Sequence, residues 1–260
     1  MENCLLSIRH ADGTTAVQGE NVLYYAEEYL PGDAIVLRVP RPGYYVICLD
    51  DAMGEEFVWM NGTAFTLEVP FREGRVSYSP RAFVGSDHYL TARPAHAEEI
   101  ACPRNLARNV YDCHGNAACW PHATANVETR GESVFAARNA IDGVVYPWCH
   151  GHYPFQSWGI NRDPNACWTL EFGRPVKAGM LALTTRADFP HDAWWTSARL
   201  TLSDGESMTL QLEKAPDGHR QCLDLHGVTI TGLALDNLKK ADDPSPFPAL
   251  TQVEVWGTNL

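Results

Sequence analysis

Residues 179–205 read GMLALTTRADFPHDAWWTSARLTLSDG. GMLALTT (179–185) is a short apolar run ending in two threonines. In ARLTLS (198–203), Ala198, Leu200 and Leu202 alternate with Arg199, Thr201 and Ser203. A period of two marks a strand with one buried face. Ser203-Asp204-Gly205 then closes a tight hairpin into SMTLQLE (207–213). The link between the first two strands, TRADFPHDAWW (185–195), holds an arginine, two aspartates, a histidine and two adjacent tryptophans. That is far more ring surface and hydrogen-bonding capacity than a connection needs.

The same pattern extends in both directions. Upstream, CLLSIR (4–9), NVLYYA (21–26), AIVLRV (34–39), GYYVICL (43–49), EFVWM (56–60) and AFTLEV (64–69) read as strands. Pro31-Gly32-Asp33 and Pro42-Gly43 supply turns between them. CWTLEF (167–172), RQCLDL (220–225), VTITGLAL (228–235) and TQVEVW (251–256) complete the set. Residues 72–111 are poor in strand pattern and read as a linker or short helix, and a second strand-poor stretch runs over 144–166. The pattern predicts an all-β protein of two β-sandwich (jelly-roll) domains, over residues 1–100 and 101–260.

At 260 residues with 45% hydrophobic and 20% charged content, the chain is of globular composition. Its formal charge of −12 argues against nucleic acid or an anionic membrane as partner and favours a neutral or cationic ligand. No apolar run approaches the roughly 20 residues that span a bilayer. MENCLLSIRHADG has no basic, apolar and cleavage-site succession, so the expected location is cytoplasmic and the eight cysteines are expected to be free thiols.

From about Asn109 onward the chain resembles the coagulation factor 5/8 type C (discoidin-like) domains, including family 32 carbohydrate-binding modules. The carrying residues are Ala137-Arg138-Asn139-Ala140-Ile141-Asp142-Gly143, then Trp158, then Cys167-Trp168-Thr169-Leu170-Glu171-Phe172-Gly173, and Val253-Glu254-Val255-Trp256-Gly257 at the end. As an ordered set they are fairly specific. The resemblance implies a galactose-binding-like jelly roll, and a binding module more often than an enzyme. It also implies a structural calcium near the AIDG turn, held by Asp142 with a carbonyl of Asn139 and a late glutamate. Here Gln252 stands at the glutamate's usual place and Glu254 two residues on, which weakens a site for a cation that prefers anionic oxygens. The N-terminal half carries no motif specific enough to name a family.

In such a fold ligands sit on loops at one end, here 144–166, 185–195 and 236–248. A sugar offers an apolar face to aromatic rings and a polar edge to Arg, Asp, Asn and His. Trp148, Trp158, Trp194 and Trp195 are the candidate rings. Arg186, Asp188, His191, Asp192, His150, His152 and Asn237 are the candidate edges. Adjacent Trp194 and Trp195 point to opposite faces of a strand, so one of them is expected in the core. Arg186 and Asp188 could equally form an ion pair that only holds the loop. Zinc at Cys113, His114, Cys119 and His122, or at Cys149, His150 and His152, is not expected, because neither stretch has the paired spacing of a finger.

Two other functions fit the same loop. One is a carbohydrate-active enzyme, a glycoside hydrolase or lyase, with His191, Asp188 and Asp192 as candidate acid and base groups. The other is a non-catalytic subunit of a larger carbohydrate-active complex, with a protein partner or a second copy of the chain.

Overall fold

The computed structural model describes residues 3–188 and 193–260. They are almost wholly β, with one short helix, α1 (Ala97–Ala101). The first half contributes β1 (Leu5–Arg9), β2 (Thr15–Glu20), β3 (Val22–Tyr25), β4 (Ala34–Arg38), β5 (Gly43–Cys48), β6 (Glu56–Met60), β7 (Ala64–Glu68) and β8 (His88–Pro94). The second contributes β9 (Arg104–Asn105), β10 (Cys119–Trp120), β11 (His122–Ala125), β12 (Trp158–Gly159), β13 (Trp168–Thr185), β14 (Trp195–Leu202), β15 (Ser207–Gln211), β16 (Gln221–Lys240) and β17 (Ala249–Asn259). No helix among the described residues is long and apolar enough to cross a membrane. All eight cysteines are free.

In the first half, a sheet of order β2-β1-β4-β7 and one of order β10-β6-β5-β8-β3 enclose a common core. Leu6, Ile8, Ile35, Leu37, Ile47 and Leu49 are among its fully buried members, and each alternates with a more exposed neighbour or ends a buried run. Two of these strands have no counterpart in the sequence pattern. β8 lies inside the expected linker of 72–111, yet it pairs with both β3 and β5. Its inward positions are His88, Leu90 and Ala92, so the alternation is real but only one member is a large apolar side chain. β2 is an edge strand with no buried residue, and therefore has no apolar period to detect.

In the second half, β13 and β16 are long strands that bend. Their ladder is regular over 168–171 and again from Val176, with a register shift between Glu171 and Val176. Two expected strand pairs, 167–172 with 179–185 and 220–225 with 228–235, are thereby each one continuous strand. β11, β14 and β15 extend one part of the sheet, and β17 with β12 extends the other. Inward side chains from both parts, including Trp168, Leu170, Phe172, Leu183, Leu200 and Val253, meet in a second core. The period-two reading of 198–202 holds residue by residue: Ala198, Leu200 and Leu202 are buried, Arg199 is exposed and Thr201 is partly so.

Between residues 104 and 125 the chain passes back and forth. β9 pairs with β17, Tyr111 and Cys119 then join the first core, β10 pairs with β6, and β11 returns to β13. Arginines on aromatic rings line this junction. The Arg104 guanidinium lies 3.6 Å from the Phe57 ring centre, and that of Arg174 lies 5.1 Å from Tyr44. Arg174 donates to Asn259 Oδ1 and to the Phe172 carbonyl, while Asn259 Nδ2 donates to the Ile100 carbonyl. Glu56 is buried here, 3.2 Å from Arg108. Burial pushes its carboxyl up to about 7, against the pull of Arg108. Gly173 cannot be otherwise: its φ is +66°, and a Cβ would fall 2.4 Å from the Trp120 ring.

Candidate functional site

At one end of the second sandwich, four stretches of chain meet around a cleft of about 170 Å³. They are 129–135, 150 with 159–162, Arg186, and 246–249. β13 ends at Thr185, and the next backbone N–H, that of Arg186, donates to the carbonyl of Ala249 at the start of β17 (3.0 Å). That bond ties Arg186 to the Pro246-Phe247-Pro248 entry of β17, whose prolines restrict the backbone around Phe247. The Arg186 guanidinium, 5% exposed, donates to the Phe247 carbonyl.

On the opposite wall, Asn161 and Arg162 follow β12 with φ of +48° and +61°. Two successive non-glycine residues in the left-handed region are uncommon, and such backbone often accompanies a functional surface. The Asn161 N–H donates to Thr129 Oγ1 (2.9 Å), which pins the turn. The Asn161 side-chain amide makes no hydrogen bond among the described residues. The Arg162 guanidinium lies 4.7 Å from the centre of the Phe247 ring. Arg130 lies 5.7 Å from Phe135 and is gripped by Glu132 at 2.6 and 2.7 Å. His150 enters from the 144–157 loop, and its Nδ1 is paired with Asp188. The Ala187 N–H donates to the Pro147 carbonyl (2.9 Å) and fastens these two loops together.

Of the residues singled out in the sequence, Arg186 and His150 line the cleft and Asp188 reaches it through His150. Asp188 therefore pairs with His150, and Arg186 lies against Phe247. His191 and Asp192 lie outside the described residues. Trp195 is 2% exposed and Trp158 fully buried, with ring centres 6.4 Å apart. The Trp158 indole N–H is also used, donating to the Val127 carbonyl. Neither ring can cover a ligand, which corrects that expectation for both and makes Trp195 the core member of the adjacent pair.

Trp194 is half-buried beneath Lys214, whose Nζ is 5.0 Å from the ring centre. Trp148 is exposed and stands edge-on to Tyr146, and its N–H donates to the Pro216 carbonyl. His152 is exposed, but neither it nor Trp148 is in the cleft wall. Asn237 is also exposed and off the cleft, because β16 continues through Lys240 where a loop was expected.

The carboxylates expected to hold calcium are engaged by the chain's own groups. Asp142 accepts from the Val144 N–H (2.8 Å) and Gln156 Nε2 (2.7 Å). Burial pushes its carboxyl up to about 6, with Arg138 opposing. The Asn139 side chain donates to the Ser133 and Ser157 carbonyls and accepts from Arg138. Glu254 is held by Arg220 and the Trp256 indole N–H (3.0 and 2.6 Å). Gln252 Oε1 is buried without a partner, but it is neutral. One carboxylate beside a guanidinium fits calcium poorly.

The cysteine–histidine stretches disperse as well. His122 binds buried Asp112 at 2.7 Å, His114 binds Glu128, Cys119 lies in the first core, and Cys149 Sγ contacts the His150 carbonyl. Among the described residues no group of three His, Cys, Asp or Glu is placed to hold a metal.

Asn161, Arg162, Phe247, Arg130 and Phe135 escaped the sequence reading. The first three lie in stretches named as binding loops, and the adjacent ring-poor, charge-bearing Asn161-Arg162 turn was the available signal.

No family model matches the chain, and no curated protein matches it. Solved structures to which it is similar include chitosan-binding module 1 from the chitosanase/glucanase of Paenibacillus sp. IK-5, at 18% identity, 59% of this chain and 99% of that one, with a TM-score of 0.41. The family 32 carbohydrate-binding module from C. perfringens NanJ, in complex with galactose, is 14% identical over 52% of this chain and 91% of that one, with a TM-score of 0.38. The lectin domain of lectinolysin, complexed with Lewis B antigen, is 16% identical over 60% of this chain and 97% of that one, with a TM-score of 0.42.

Proposed function

We propose that the protein binds carbohydrate, and that the cleft at the end of the second sandwich takes one sugar ring. This reading keeps the galactose-binding-like unit in residues 101–260 and the other sandwich in 1–100, with Tyr111 and β10 crossing back into that sandwich's core and sheet. The observation that carries the proposal is a single concave site where ring surface and hydrogen-bonding edges converge. Phe247 and Phe135 supply ring surface, and Asn161, Arg162, Arg186 and His150 supply donors and acceptors. Its 170 Å³ suits a ligand of one ring, since an engineered cavity of about 150 Å³ accepts benzene. A small site with few, fixed polar groups is the usual form of a ligand pocket.

Isothermal titration against a panel of neutral, amino and acidic monosaccharides tests this. Binding of at least one sugar, weakened tenfold or more in Phe247→Ala and Asn161→Ala, is the expected result. No heat with any sugar overturns it.

The Asp188–His150 pair at the cleft edge favours one alternative, a carbohydrate-active enzyme that uses Asp188 with the neighbouring His191 and Asp192. That alternative requires reducing ends to appear when the protein is incubated with oligosaccharide, and to disappear in Asp188→Asn.

A further inference from the structure

Deepening the carbohydrate proposal, and resting on it, we infer that the sugar is acidic: its carboxylate is the group that Arg162 is set to receive. The protein as a whole carries a formal charge of −12, yet among the described residues the cleft wall contains Arg130, Arg162, Arg186 and His150 and no aspartate or glutamate. At physiological salt, charges farther apart than about 8 Å are largely screened, so the local set governs what docks.

These groups are not equivalent. Arg130 is already gripped in the two-pronged manner by Glu132, and His150 is paired with Asp188. Arg162 differs from both. It is exposed, and among the described residues it meets no carboxylate, only the Phe247 ring. A guanidinium over a ring keeps its in-plane N–H fork, whose spacing matches the two oxygens of a carboxylate. The ring limits the orientations the fork can take, so less freedom is lost when the acid docks. The left-handed backbone at Asn161 and Arg162 brings an amide and a guanidinium side by side on one wall. A uronic acid has the matching arrangement, with a carboxylate beside ring hydroxyls. Arg186, across the cleft, adds positive potential.

The test compares methyl glucuronide and methyl galacturonide with the corresponding neutral methyl glycosides by titration calorimetry at two salt concentrations. Inorganic sulfate and phosphate serve as anion controls. Expected is at least a tenfold preference for one acid over its neutral counterpart, shrinking as salt rises. Arg162→Gln removes the preference, weakening the acid far more than the neutral sugar, while Arg162→Lys retains only part of it. Thermal melts of the variants should match the parent, since Arg162 is exposed. Equal affinity for acid and neutral sugar overturns this inference and leaves the carbohydrate proposal standing. Sulfate or phosphate binding as tightly as the uronide also overturns it, by making the cleft a simple anion site. Silence from every sugar overturns both.

Discussion

At the junction of the two cores, Arg104 lies 3.6 Å from the Phe57 ring centre and Arg174 lies 5.1 Å from that of Tyr44. At the cleft, Arg130 lies 5.7 Å from Phe135 and Arg162 lies 4.7 Å from Phe247. The residue pairs are the same; their surroundings are not. At the junction the chain supplies the acceptors itself: the Phe172 carbonyl and Asn259 for Arg174, and the Glu99 carbonyl for Arg104. Arg174 is 8% exposed, so its interactions are spent on holding the two halves together. Arg162 faces solvent with its fork unused by any described carboxylate. An arginine on a ring thus serves folding where the chain closes around it, and is available for recognition where the chain does not.

The largest expected effect is at the junction. Arg174→Ala strands Asn259 and the Phe172 carbonyl inside, and should destabilise by about 2–4 kcal/mol. Urea unfolding followed by tryptophan fluorescence measures it, and a change below about 0.5 kcal/mol would erase the contrast with the cleft. Next is pH dependence at Glu56, whose folded carboxyl is raised from 4.5 to about 7 by burial, with Arg108 opposing. The native state holds this proton more tightly than the unfolded chain. Its contribution is therefore full below pH 4.5 and is lost as pH rises through about 7. The loss across that window is of the order of 3 kcal/mol. Glu56→Gln should flatten that part of the stability profile; an unchanged slope would show that Glu56 is not the group responsible.

Smaller effects belong to the exposed side of the comparison. Arg162→Ala should leave unfolding free energy within about 0.5 kcal/mol of the parent. A larger loss would mean that Arg162, like Arg174, is structural. The smallest effect concerns calcium. With Asp142 committed to two hydrogen bonds and Glu254 to Arg220, millimolar calcium or chelator should move the thermal midpoint by no more than about 1 °C. A shift of several degrees would mean that the AIDG turn rearranges around the ion.

Several features were legible in the sequence because they are local. The strands at 34–38, 56–60 and 198–202 follow from alternation that any short window contains. β8 was hidden because two of its inward positions are His88 and Ala92, and His88 is buried by packing against Tyr25 and Tyr29. Trp158 and Trp148 look alike in a list of loop aromatics. Both indole N–H groups meet a backbone carbonyl, but Trp158 lies inside a closed core and Trp148 remains exposed. The net charge of −12 does not resolve the cleft for a related reason, because it sums over a surface whereas a ligand meets one wall of it.

By itself the sequence determined that the chain is β throughout, that its strands have definite inner and outer faces, and that polar residues gather in the links around 144–166 and 185–195. Those properties depend on neighbours one or two positions away. The tertiary structure alone decided that Thr129, Asn161, Arg162, Arg186 and Phe247 share a cleft, and that Arg174 does not. They come from four separate stretches and meet because β12 and β13 both pair with β17, and because the Asn161 N–H ties Thr129 to the turn after β12. That pairing brings Arg186 beside Phe247, and with it sets which charges are buried and which still face the solvent.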